Sequence, residues 1–199
     1  MSSKKILIVG DGGHATSCRE VIDSLDEYAF EGYVTQKNGN KGDTIGCDSD
    51  LLDLFNEIKF ACVGIGQIKN NKNRIKSYNS LKEIGYDIPT LIASTAYTSK
   101  SAEINDGTIV MHKAFVNSKT KIGKNCIINT GAVIEHGVSI GDNCHIATNA
   151  VINGDSVIGD NSFVGSGAVI LQGININENC LIGAGVVVKE DLAAGKLVK

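Results

Sequence analysis

Tryptophan is absent from this 199-residue sequence, proline occurs once, at Pro89, and aromatic residues make up only 5%. A conventional core leans on large aromatics, so this one is expected to pack β-branched aliphatics against small residues, with 23 glycines leaving room. Charge of one sign is not in excess either: the net charge is −3, which gives no basic footprint for nucleic acid or a membrane surface. No long apolar run is present. Met1-Ser-Ser-Lys-Lys leads straight into a six-residue apolar strand, too short for a signal-peptide core or a membrane span, so the protein is expected in the cytoplasm. The six cysteines form no C-x-x-C pair with metal-ligand spacing, and cytosolic thiols stay reduced, so neither a metal nor a disulfide is expected.

What the sequence does have is a period of six. Stepping by six from Ile104 gives Val110, Val116, Ile122, Ile128, Ile134, Ile140, Ile146, Ile152, Ile158, Val164, Ile170, Ile176, Ile182 and Val188, without an exception. The column two residues earlier is mostly small, as at Ala102, Thr108, Ala132, Ala150, Ser156 and Ala168. An α-helix repeats its apolar positions every three to four residues, so this segment is not one. It suits a chain that turns a corner every six residues, three sides making an eighteen-residue coil and about five coils a β-solenoid. Cys126, Cys144 and Cys180 share one column with Ser162, and read as small, buried, apolar side chains.

The first half reads as a small α/β module. Lys4 to Gly10 is a buried parallel strand, entering Gly10-Asp-Gly-Gly-His-Ala15 and a helix over 16–25. Strand, glycine turn and helix start form a phosphate-binding unit, whose free amides attract anions. A second strand is expected over Phe30–Val34, where a dinucleotide fold would end on an acidic residue. Thr35 and Gln36 stand there instead, which disfavours NAD. Phe60–Val63 is a further strand, ending in Gly64-Ile-Gly66 before a polar helix from Arg74 to Ile84. The expected domains are 1–93, a Rossmann-like α/β module, and 94–199, an all-β prism, with nothing between them that reads as a flexible linker.

Gly10-Asp-Gly-Gly-His14, Gly64-Ile-Gly66 with Arg74, Asn129-Thr130, Ile134-Glu-His136 and the hexads through Gly183-Ala-Gly185 together resemble the hexapeptide-repeat sugar acyltransferases of the sialic acid O-acetyltransferase type. The likeness is greatest to the bacterial N-acetyltransferases of nucleotide-linked 4-amino-4,6-dideoxy sugars and covers nearly the whole chain. It implies a left-handed parallel β-helix, a homotrimer, acetyl-CoA as co-substrate on the prism, and the nucleotide of the sugar on the first half. It also implies His136 as general base, His145 as a helper near acetyl-CoA, Asn129 at the sugar, and Gly12, Gly13, His14, Thr35, Gln36 and Gly66 around the nucleotide sugar.

Amine acetylation needs a proton acceptor, an oxyanion donor and a departing thiolate, and a histidine can accept a proton at neutral pH. His136 stands two after the inward Ile134, where ligands can reach it. Eighteen past it is Gly154, whose amide should lie one coil away, at the scale of strand spacing, and able to donate to a thioester carbonyl. The family places an acidic residue directly after the base. Gly137 stands there, and Asp155, eighteen further on, is expected to orient His136 instead. Gly165, Gly167, Gly183 and Gly185 offer bare backbone for a pantetheine arm, and Lys189 a cation for its phosphates. His112 has no family counterpart and is expected to be exposed. The sequence ends on Ala194-Gly-Lys-Leu-Val-Lys199 where relatives continue into a Gly-x-Pro-Ala-Lys tail, so a shorter cover over the CoA groove is expected. Three alternatives stay open: an O-acetyltransferase on a sugar hydroxyl, a metal-dependent lyase like the γ-type carbonic anhydrases, and a non-catalytic nucleotide-sugar binder.

Overall fold

A computed structural model describes residues 3–36, 42–68 and 70–199. The chain divides into two compact units, Met1–Ser94 and Thr95–Lys199.

The first unit begins with β1 (Lys4–Val9), whose Ile6, Leu7, Ile8 and Val9 are all buried, as a strand covered on both faces must be. It is followed by α1 (Gly13–Asp23), β2 (Tyr28–Thr35), β3 (Thr44–Cys47), a 3-10 turn at Asp48–Asp50, α2 (Leu51–Leu54), β4 (Phe60–Val63) and α3 (Lys72–Ile84). The four strands are parallel in the order β3-β2-β1-β4. Helix α1 buries Ala15, Cys18, Val21 and Ile22, while Leu51, Tyr78, Leu81 and Tyr86 close the core around Leu7, Val9 and Val34. The Tyr86 hydroxyl donates to the Leu51 carbonyl at 2.8 Å, and burial pushes its phenol up to about 12. Helix α1 starts three residues earlier than the apolar spacing suggested, because the glycine turn itself supplies its first residues. Strand β3 and helix α2 were invisible to periodicity, being only four residues each.

The second unit is a three-sided coil of two-residue strands. Val133–Ile134 pairs in parallel with Phe115–Val116 and Val151–Ile152, Ile127–Ile128 with Ile109–Val110 and His145–Ile146, and Ser139–Ile140 with Lys121–Ile122 and Val157–Ile158. Every one of these pairs joins positions eighteen apart. Of the fifteen aliphatic residues in the six-step column, only Ile104 in the first coil is partly open; the rest are exposed by 4% or less.

The small column is buried as expected, but it is not merely apolar. The Thr108 hydroxyl donates to the Gly123 carbonyl at 2.7 Å and accepts the Cys126 amide at 3.0 Å. Ser162 does the same between the Asn177 carbonyl and the Cys180 amide. The Cys126, Cys144 and Cys180 thiols donate to Gly141, Gly159 and Ala193 carbonyls at 3.1 to 3.3 Å. Contact with Cys126, then burial, holds the Cys144 thiol well above its ordinary range, so it keeps the proton it donates. The cysteine column is therefore a polar ladder rather than a stack of small apolar groups: corner carbonyls turned inward need donors.

That distinction is measurable. Cys144→Ser should stay near the parent in urea unfolding, whereas Cys144→Val, which fills the space but leaves the Gly159 carbonyl unpaired, should lose about 1–3 kcal/mol.

Candidate active site

In the α/β unit, a cavity of about 460 Å³ opens at the ends of β1, β2 and β4. Gly12, Gly13, His14, Thr35, Gln36 and Gly66, the six positions assigned to the nucleotide sugar in this half, all line it. The start of α1 faces the cavity with the positive end of its dipole. The turn before it needs glycine at Gly10, whose φ of +106° is in the left-handed region. Gly64 lets α1 seat against the sheet, since a Cβ there would lie 2.8 Å from that of Ala15. His14 packs its Cβ over Gly66, and its Nε2 lies 3.5 Å from the Cys18 thiol.

Arg74 is 1% exposed. Its guanidinium donates to the Val63 and Ile65 carbonyls at 2.6 and 2.9 Å, holding the Gly64–Gly66 turn open at the cavity. A buried charge on an otherwise polar helix could not be told from a solvated one by pattern. Asp48, Asn73 and Ser77 also line the cavity and went unrecognised, because neither the turn after β3 nor the facing side of α3 carries a motif.

In the coil unit, His136 stands at a corner with its side chain 54% exposed. Its imidazole lies across the bare face of Gly154: a Cβ built there would sit 2.6 Å from Cε1 and 2.8 Å from Nε2. The Asp155 amide donates to the His136 carbonyl at 2.9 Å, and an Asp155 carboxylate oxygen is 3.9 Å from Nδ1. Nothing among the described residues accepts the Gly154 N–H, while the Gly154 carbonyl takes the Gly173 amide. The eighteen-residue step thus brings His136, Gly154 and Asp155 together. One coil back, Asn117 donates to the Glu135 carboxylate at 2.7 Å.

Asn129 and His145 meet directly. The Asn129 side-chain amide lies 3.1 Å from His145 Nε2, while its oxygen accepts the Thr130 N–H at 2.7 Å. With the oxygen so engaged, the NH₂ points at Nε2, which must accept, and the ring carries its proton on Nδ1. His145 is 7% exposed and stands edge-on to Phe163 at 5.1 Å.

The glycines expected to line a pantetheine groove divide. Gly167 and Gly185 have φ of +66° and +69°, with open space where a side chain would be, and Lys189 is exposed. Gly183 is half-buried. Gly165 corrects the expectation of open backbone: it is buried, a Cβ there would meet the Ala184 nitrogen at 2.6 Å, and its N–H donates to the Ile182 carbonyl. Its missing side chain lets the next coil stack. His112 is also corrected, being half-buried with Nδ1 2.8 Å from the Thr95 hydroxyl. Among the described residues no three His, Cys, Asp or Glu side chains are grouped to hold a metal, and no helix is long and apolar enough to cross a membrane.

Residues 5–81 match the PglD N-terminal domain, and residues 119–154 and 155–190 match the bacterial transferase hexapeptide, six repeats each. A perosamine N-acetyltransferase from Caulobacter crescentus, solved with CoA and GDP-perosamine, is similar over 97% of this chain and 92% of its own, at 28% identity and a TM-score of 0.90. The acetyltransferase domain of PglB from Neisseria gonorrhoeae, solved with acetyl coenzyme A, is similar over 98% and 95%, again at 28% identity and 0.90. WeeI from Acinetobacter baumannii shares the fold at 20% identity and a TM-score of 0.71. No curated protein matches the sequence significantly.

Gly154→Ala gives a direct test of the corner. The backbone conformation there suits any residue, so the fold should survive, but the added methyl must displace the imidazole, and turnover of the substrate this corner serves should fall by about tenfold or more.

Proposed function

Given that residues 5–81 are a PglD N-terminal domain and residues 119–190 are bacterial transferase hexapeptide repeats, we propose that this protein is an acetyl-CoA-dependent N-acetyltransferase. Its acceptor is the amino group of a nucleotide-linked 4-amino-4,6-dideoxy sugar destined for a bacterial glycan. The observation that carries this reading is the imidazole of His136 lying on Gly154 with an amide beside it that no group in the coil uses. Two whole-length likenesses at 28% identity, to a perosamine N-acetyltransferase and to an acetyltransferase domain, support it.

In this mechanism the amine attacks the thioester carbonyl directly. His136 Nε2 takes the proton that the nitrogen sheds as the C–N bond forms, with Asp155 on the Nδ1 side as a positioning residue. The Gly154 N–H donates to the carbonyl oxygen as it gains negative charge. One such donor is worth on the order of 3 kcal/mol in a water-poor site. The C–S bond then breaks and the thiol of CoA is released. His145, held by Asn129 with its proton on Nδ1, serves the acetyl-CoA side. Gly167, Gly183 and Gly185 give the cofactor arm room, Lys189 meets its phosphates, and Gly165 keeps the coils close enough to form that surface. Asn129 stands at the sugar. Gly12, Gly13 and His14 hold the phosphates of the nucleotide, with Thr35, Gln36 and Gly66 around it. The division of labour is a nucleotide-sugar module over 1–93 and a catalytic coil over 94–199.

We further assign a homotrimer in the cytoplasm. One face of the coil turns Tyr97, Phe115, Val133, Val151, Val169 and Val187 outward, a continuous apolar ladder in which Tyr97 and Val187 are 55% and 48% exposed. A patch of this kind needs a partner surface. Val151→Glu should convert the assembly to monomers in light scattering; an unchanged mass would remove this face from the interface.

His136→Ala should lower turnover by about a hundredfold or more while leaving acetyl-CoA binding in place, read by thiol release with a panel of nucleotide-linked amino sugars. Asp155→Asn should lower turnover. Near-parental rates in His136→Ala would remove the base from this mechanism.

A further inference from the structure

Two carboxylates that line the cavity of the α/β unit are left unused by the mechanism above: Asp11, within the glycine turn, and, on the β2–β3 flank, Asp48. Asp48 sits at the first residue of the 3-10 turn after β3 and lines both the main cavity and an adjoining recess of about 190 Å³. Lys76 and Ser80 line the far part of that recess. The turn is fixed from within: Asp50 Oδ2 accepts the Cys47 N–H at 2.8 Å and the Cys47 thiol at 3.2 Å. These bonds hold the Asp50 carboxyl below its usual range, so Asp50 is committed to the turn. Asp48 itself has no hydrogen-bond or ion-pair partner among the described residues.

Strand order says which part of a ligand Asp48 meets. Phosphates are drawn to the start of α1, which follows β1, between the two flanks of the sheet. On the β4 flank the cavity ends at Gly64–Gly66 under His14. On the β2–β3 flank it adjoins the recess, with Gln36, Asp48, Asn73 and Ser77 lining both, which gives a planar base room on that side.

The bases differ in the edge they present to a carboxylate. Uracil offers acceptor, donor, acceptor, so a carboxylate reaching its N3–H is pressed against two carbonyl oxygens. Cytosine and adenine each offer one donor beside an acceptor. Guanine alone puts two donors side by side, N1–H and the N2 amino group, which a carboxylate accepts bidentately. Its neighbouring O6 then needs a donor, and Asn73 and Lys76 stand on the facing side of α3.

We propose that the nucleotide carrier of this protein's substrate is guanosine diphosphate, read by Asp48 at N1–H and N2, with Asn73 and Lys76 on the O6 side. This rests on the assignment of the cavity to a nucleotide sugar. Asp48 is thus a specificity-determining residue, and the recess beyond it is a guanine pocket.

Calorimetric titration of the full chain with GDP and with UDP tests it. GDP should bind about tenfold tighter or better, and Asp48→Asn, which sets an amide N–H against N1–H, should abolish that preference and leave UDP affinity unchanged. Turnover should follow the same order on an amino sugar carried by GDP and by UDP. Equal affinities, a preference for UDP, or a GDP preference that survives Asp48→Asn would each overturn the guanine assignment while the nucleotide cavity stands. Failure of both nucleotides to bind would overturn it together with the cavity's assignment.

Discussion

The parallel pairing of positions eighteen apart is the constraint on which the coil unit depends. Each two-residue strand finds its neighbours one coil up and one coil down, as Val133 does with Phe115 and Val151. At strand spacing of about 4.8 Å, a sequence separation becomes a fixed contact. No single residue anchors the stack. Each buried isoleucine adds about 1.5–3 kcal/mol of burial, and each coil rests only on its neighbours, so stability accumulates along the array. The ladder of Thr, Ser and Cys donors supplies the specificity that apolar packing lacks. A slip of one residue would pull every hydroxyl and thiol away from its carbonyl.

The same constraint made the candidate corner readable. His136, Gly154 and Asp155 are far apart along the chain by ordinary standards, yet one period brings them into contact, and the structure places them so. What stayed illegible was what the period does not govern. Strand β3 and helix α2 are too short to carry a periodic signal, and with them went the Asp48 turn. Arg74 was legible only as part of a motif, with Gly64-Ile-Gly66, and not as a buried charge, because burial of its guanidinium depends on two carbonyls that only the folded turn exposes. Gly165 was misread for a related reason. Two glycines of one short motif, Gly165 and Gly167, look alike in sequence, but the first follows an inward valine and faces the next coil, while the second sits at a corner in open solvent.

Backbone rather than side chains forms much of both candidate sites. The start of α1 opens on the cavity, and the corner under His136 presents the Gly154 amide, the donor proposed for the oxyanion. Groups of this kind are positioned by the fold itself and lose no side-chain freedom when a ligand arrives. Side chains enter at single points, as His136 does over Gly154 and His145 does beside Asn129. The tautomer of His145 illustrates the economy: one amide, its oxygen tied to Thr130, decides which ring nitrogen carries hydrogen.

Gly137 and Asp155 have to be understood as a pair. Gly137 has a φ of +68°, and the space where its Cβ would stand is taken by an Asp155 carboxylate oxygen. An acidic residue at 137 and one at 155 would compete for a single volume at one corner, both in the left-handed region, and two carboxylates in contact repel. Only one of them can stand beside the imidazole. With glycine at 137, the carboxylate near Nδ1 comes from the next coil, at 3.9 Å, and it is Asp155, with a φ of +59°, that carries a side chain in the left-handed region. The glycine is therefore the other half of the aspartate: the volume that a side chain at 137 would need is the one the Asp155 carboxylate fills.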